Sequence, residues 1–160
     1  MTIAQPDLGT ASSSDMMNGL TETATATNPI EVIETVIDSL DSNDTAMVTQ
    51  SEGGHIWKFC YGTVEVFVQL TGLTSDDTLT VWSTVLKLPA KDEPGLMRRL
   101  LEMNWADTLE ARFGIMENQV VVVFSRILAE LSPGEISRAI TIVATLADDN
   151  DEPLQSQFGA

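Results

Sequence analysis

Regular spacing of apolar residues begins at Ile30, after which Ile33, Ile37 and Leu40 recur at intervals of three or four. That interval sets them on one stripe of a helix. Asn28-Pro29-Ile30-Glu31 supplies the start: a capping side chain, a proline at the first helical position, and a glutamate placed to reach back. Glu31, Glu34, Asp38 and Asp41 lie off the stripe, and the Asp41-Ser42-Asn43-Asp44 cluster ends the helix.

The period then shortens to two. Over residues 55–61, Trp57, Phe59 and Tyr61 alternate with Ile56, Lys58 and Cys60. Gly62 turns the chain into residues 63–70, where Val64, Val66, Val68 and Leu70 share one face. A polar loop (71–77) leads to a third strand over 78–88, rich in Thr, Val and Trp and stopped by Pro89. A three-strand antiparallel meander is the economical reading.

Helical spacing returns after Asp92-Glu93-Pro94 and runs to about Asn104, with Leu96, Leu100 and Met103 on one side and Met97 and Leu101 widening the apolar arc. Two strands follow, near 108–115 and 119–128, joined around Glu117-Asn118. Residues 120–124 are apolar on both faces, as in a strand covered on both sides. Ser132-Pro133-Gly134-Glu135 is a second capping box, and Ile136, Ala139, Ile140, Val143, Ala144 and Ala147 line the last helix.

The order α-β-β-β-α-β-β-α predicts an α+β domain, a mostly antiparallel five-stranded sheet packed with helices. It occupies residues 28–150, between a mobile Thr/Ser-rich tail (1–27) and a short acidic C-terminal tail (151–160). A chain of 160 residues is long enough for one such core.

Charge narrows the range of partners. Twenty-four acids against eight bases give a formal charge of −16, and nine of those acids precede Lys58 with no Lys or Arg among them. Such a surface repels phosphate backbones and anionic lipid, so neither nucleic acid nor membrane is an expected partner. No stretch approaches the ~20 apolar residues of a membrane span. The N-terminus lacks a basic region followed by an apolar one, which leaves cytoplasmic residence as the default.

Reactive groups are sparse. Cys60 is the single cysteine and His55 the single histidine. Five residues apart on one strand they point to opposite faces, so they cannot form a nucleophilic pair. Asp76-Asp77 and the run Asp148-Asp149-Asn150-Asp151-Glu152 read as solvated charge, with Pro153 standing where a calcium loop needs a glycine turn. Gly53-Gly54 lacks the lysine of a phosphate loop and reads as a flexible turn. No catalytic residue, metal site or cofactor is expected.

Large apolar side chains are the remaining candidates. Trp57, Trp82 and Trp105 each offer the area of a binding hot spot, although core packing is the commoner use of tryptophan. On the second helix Met97 and Leu101 exceed what one core stripe needs. Either the sheet wraps that helix or a second copy meets it, and a homodimer with Arg98 and Arg99 at the rim is the favoured expectation.

Two stretches, Leu96-Met97-Arg98-Arg99-Leu100-Leu101-Glu102-Met103-Asn104 and Arg112-Phe113-Gly114-Ile115, with Asn118-Gln119-Val120-Val121-Val122 and the helix start at Leu131-Ser132, carry a family likeness. Over roughly residues 28–150 the chain resembles the YbjN-like family of bacterial sensory-transduction regulators and the wider type III secretion chaperone-like fold. The resemblance implies a small acidic cytoplasmic domain, often homodimeric, that holds an extended client segment in an apolar groove or at a sheet edge. The expected function is therefore a non-catalytic protein-binding module, chaperone-like or adaptor. The alternative is a sensory domain binding a small ligand between sheet and helices.

Overall fold

A computed structural model describes residues 27–160. Its elements run α1 (Pro29–Leu40), β1 (Met47–Ser51), β2 (Gly54–Tyr61), β3 (Val64–Leu70), β4 (Thr78–Lys87), α2 (Glu93–Ala106), β5 (Arg112–Met116), β6 (Gln119–Ile127) and α3 (Pro133–Phe158). The six strands form one sheet in the order β1-β2-β3-β4-β6-β5, with every neighbouring pair antiparallel.

Strand alternation divides the sheet into two unlike faces. Trp57, Val68, Val81 and Phe124 lie across from one another in successive strands, as do Phe59, Val66, Ser83 and Val122. Most of these are buried, because α3 packs across β4, β3 and β6 and α1 packs beside α3. The opposite face carries Lys58, Phe67, Trp82 and Val123 in register, all half-buried. A bulge between Thr84 and Leu86 buries both Val85 and Leu86.

The helix starts are built as the sequence dictates. Asn28 Oδ1 accepts from the Ile30 N–H, and Ser132 and Glu135 close a reciprocal capping box. Ile33, Val36 and Ile37 of α1 are buried, with Ile30 and Leu40 partly so.

Two expectations are corrected. The sheet has six strands, not five: β1 is a strand whose five residues are all exposed, so it has no apolar face to reveal it. Glu52-Gly53 is the turn joining β1 to β2, and Gly54 opens β2 opposite Ser51. The segment expected as a tail from residue 151 continues α3 to Phe158. Leu154 and Phe158 are buried, and the Phe158 carbonyl accepts from the Lys91 N–H at 2.8 Å. Pro153 sits inside this helix, and apolar burial beyond it holds the last turns in place. The predicted N-terminal tail, residues 1–27, lies outside the described residues except for Thr27.

Candidate functional site

The two edges of the sheet are finished differently. At β5, Asn104 from α2 uses its side-chain amide as a substitute strand. Its Oδ1 accepts from the Phe113 N–H at 2.6 Å and its Nδ2 donates to the Phe113 carbonyl at 3.2 Å. At the far edge, β1 pairs only with β2 among the described residues. Alternate backbone N–H and C=O groups on its outer side have no partner among those residues.

Alongside β1 lies a hollow of ≈ 200 Å³ lined by Glu34, Ile37, Asp38, Ala46, Met47, Val48 and Trp57. Helical spacing puts Glu34 and Asp38 on the same side of α1, one turn apart, above an apolar floor. The floor is fixed by Trp57, 2% exposed, whose Nε1 donates to Glu34 Oε1 at 3.4 Å. Val48 and Met47 are 54% and 69% exposed and extend the apolar surface outward. A second hollow, bounded by Asp38, Asp41, Asp44 and Ala46, continues the first along α1.

The chain leading into β1 is held by Asp41. Its carboxylate accepts from the Asn43, Thr45 and Ala46 amides and from Thr45 Oγ1. Burial pushes the Asp41 carboxyl up, but those four hydrogen bonds outweigh it and its pKa lies below the ordinary value. Thr45 Oγ1 in turn accepts from the Cys60 N–H at 2.8 Å, which ties the segment before β1 to β2.

A second exposed surface lies at the opposite end of the sheet. On α2, Leu101 and Trp105 are one turn apart and 69% and 93% exposed, and Leu109 and Ile115 are exposed as well. Met97 is half-buried, packed against the core, while Arg98 is exposed and paired with Glu102 at 3.2 Å.

The three tryptophans therefore stand in three places. Trp57 is a core residue whose strand position faces α1, and it forms part of the groove floor. Trp82 lies on the uncovered sheet face, stacked on Phe67 at 5.2 Å between ring centroids. Trp105 sits inside the last turn of α2, not after it. His55 stacks on Trp57 at 5.3 Å, and Cys60 lies half-buried across from Glu65. Among the described residues no three His, Cys, Asp or Glu side chains are grouped to hold a metal, and no helix is long and apolar enough to cross a membrane.

Several acids read as solvated charge are anchors. Asp148 accepts from the Thr63 N–H at 2.8 Å, and the single Thr63 hydroxyl proton is shared between Asp148 and Asp151, clamping the β2–β3 turn to α3. Asp77 accepts from the Thr74 hydroxyl and amide and from the Thr71 hydroxyl, which hold its carboxyl below the ordinary range. The groove and edge residues not singled out from sequence are Val48, Met47 and Asn104. Gly53-Gly54 between two β-prone stretches was a usable hairpin signal for the first two. Nothing local marks Asn104 as an edge cap.

Comparison with known proteins agrees with this architecture. The structure titled "Crystal Structure of the ExsC-ExsE Complex" is similar at a TM-score of 0.54 and 16% identity, covering 78% of this chain and 93% of that one. A second, "Structure of the HopA1-SchA Chaperone-Effector Complex", gives 0.48 and 13%, covering 76% and 94%. The fold is thus α+β, three helices with an antiparallel sheet, similar to that of the ExsC-ExsE structure. No curated protein matches the sequence. A family model described as "Putative bacterial sensory transduction regulator" matches residues 29–156, and the chain belongs to that family, YbjN.

Proposed function

We propose that this domain is a non-catalytic protein-binding module, chaperone-like or adaptor, that holds a client polypeptide along the α1–β1 groove. One observation carries the reading: Asn104 caps the β5 edge at Phe113, while among the described residues the β1 edge has no such cap and lies beside a partly apolar hollow. Uncapped strand edges invite pairing with another chain. The fold likeness to a structure solved as a complex supports the same reading. Cytoplasmic residence and a protein client, with neither nucleic acid nor membrane as partner, belong to it.

In this reading a second copy packs on the outer side of α2. Met97 and Leu101 form the apolar contact, Arg98 stands at its rim, and Trp105 extends the surface. Trp82 offers a further aromatic contact on the uncovered sheet face.

Co-purification from the native cell at modest salt tests the first part. A reproducible protein partner that is lost from Val48→Asp is expected; no partner, or one indifferent to Val48 and Met47, overturns it. Light scattering on a sizing column tests the second. Twice the 17.4 kDa chain mass is expected, reduced to one chain by Leu101→Asp.

The family description favours a ligand-sensing reading as well. The hollow between β6 and α3, lined by Phe124, Arg126, Glu135 and Arg138, measures ≈ 50 Å³. Small-ligand pockets run to roughly 300–1,000 Å³. The larger hollows beside α1, ≈ 200 and ≈ 360 Å³, are continuous along a strand edge, which suits a polypeptide better than a small ligand.

A further inference from the structure

We infer that residues 1–26 of the chain dock on the sheet face turned away from α1 and α3, with Met16 and Met17 against the stacked rings of Phe67 and Trp82. This surface is separate from the α1–β1 groove, and the inference does not depend on that groove.

One row of side chains crosses all six strands on this face. Met47, Lys58, Phe67, Trp82, Val123 and Arg112 stand opposite one another in successive strands. The planes of Phe67 and Trp82 lie 9° apart, so the two rings present one flat apolar surface at the centre of the row. Lys58 stands on one side, its Nζ 5.8 Å from the Phe67 ring centroid, and Arg112 stands on the other.

Charge sets this face apart from the rest of a chain that carries a formal −16. Glu65 lies on it and is held by Lys58. Arg112 is exposed and has no acidic partner among the described residues. An acidic segment with apolar residues at its centre is the complementary occupant.

Residues 1–26 have that chemistry. They hold Asp7, Asp15 and Glu22 and no Lys or Arg, and Met16-Met17 directly follows Asp15. The unbranched, polarisable thioether of methionine packs favourably against aromatic rings. With the two methionines on the ring pair, Asp15 is within reach of Arg112, two strands beyond Trp82 in the same row.

The connecting length suffices. α1 begins at Pro29 and flanks β1. The eleven residue steps from Met17 to Asn28 span up to roughly 36–40 Å. β4 lies three strands in from the β1 edge, about 14 Å across the sheet, and one packed layer adds about 10 Å. A segment joined to its site by so short a link meets it at an effective concentration of the order of millimolar. A separate partner that uses Trp82 must therefore displace it.

A nitroxide attached to Asn18→Cys, in the full chain carrying Cys60→Ser, tests the contact by amide NMR. The Phe67, Trp82 and Val123 signals are expected to lose at least half their intensity, and that of Thr141, exposed on α3, to lose less. Asp15→Lys with Glu22→Lys should restore the first set at least twofold. Broadening centred on Val48, or equal at Thr141 and Trp82, overturns the assignment of this face. Broadening that survives the charge reversal overturns the part given to charge. Isotope-labelled chains without nitroxide are also mixed with unlabelled chains that carry it. Broadening as strong between chains as within one makes a second copy the occupant and overturns docking within the chain. An unbroadened face overturns the inference as a whole and leaves Trp82 to a separate partner.

Discussion

Asn104 and Phe113 are joined twice, the side-chain amide of one pairing with both the N–H and the carbonyl of the other. Asn104 thereby fastens α2 to the sheet edge and removes two unpaired backbone groups from it. Each such hydrogen bond contributes about 0.5–1.5 kcal/mol. Asn104→Ala should cost about 1–3 kcal/mol in urea unfolding. Asn104→Asp, which keeps the acceptor and loses the donor, should fall between the two. Equal stability of Asn104→Ala and the native chain would remove the edge-cap role.

Leu154 and Phe158 test whether the C-terminal segment is part of the fold. Each is buried in the main core cluster beyond Pro153. Leu154→Ala should destabilise by about 2–5 kcal/mol and Phe158→Ala by about 3–5 kcal/mol. A detached tail would show neither loss.

Gly62 and Asp148 should be energetically coupled. Gly62 has φ of 53°, and a Cβ there would meet the Asp148 carboxylate, which holds the Thr63 N–H. Gly62→Ala should cost more than about 1 kcal/mol, from backbone strain and from displacing that carboxylate. In an Asp148→Ala background the second contribution is already gone, so the two losses should sum to more than the double variant shows. Strict additivity would count against the clamp.

Glu135 sets an acid-stability window. The Ser132 amide, with the Arg126 guanidinium and the Ser132 hydroxyl, lowers its pKa from 4.5 to about 2. A folded-state value below the unfolded one means the ionised form is favoured by folding. Its stabilisation is complete above about 4.5 and lost as pH falls through about 2. The difference in Tm between the native chain and Glu135→Gln should be constant near neutrality and shrink below pH 4.5. A constant difference down to pH 2 would contradict it.

The elements with one buried face were legible in the sequence, because burial imposes a period. Val64, Val66, Val68 and Leu70 announce β3, and three proline-bearing caps announce α1, α2 and α3. β1 escaped because no side chain on it is buried, and residues 151–158 escaped because Pro153 and four acids from Asp148 to Glu152 mask the helical spacing of Leu154 and Phe158. The groove escaped for a different reason. It joins α1 to a strand across a loop, and the Asp41–Thr45–Cys60 connection that sets its shape spans residues whose spacing carries no period. The acids that anchor turns look, in one dimension, like any solvated acid.

The separation of the three tryptophans gives the molecule a set of optical reporters. Trp57 is shielded, Trp82 lies flat against Phe67, and Trp105 stands in water. Chains that keep one indole at a time would emit from three distinct environments. Quenching by acrylamide would then report occupancy of α2, of the bare sheet face, or of the hollow beside β1, each without an added dye.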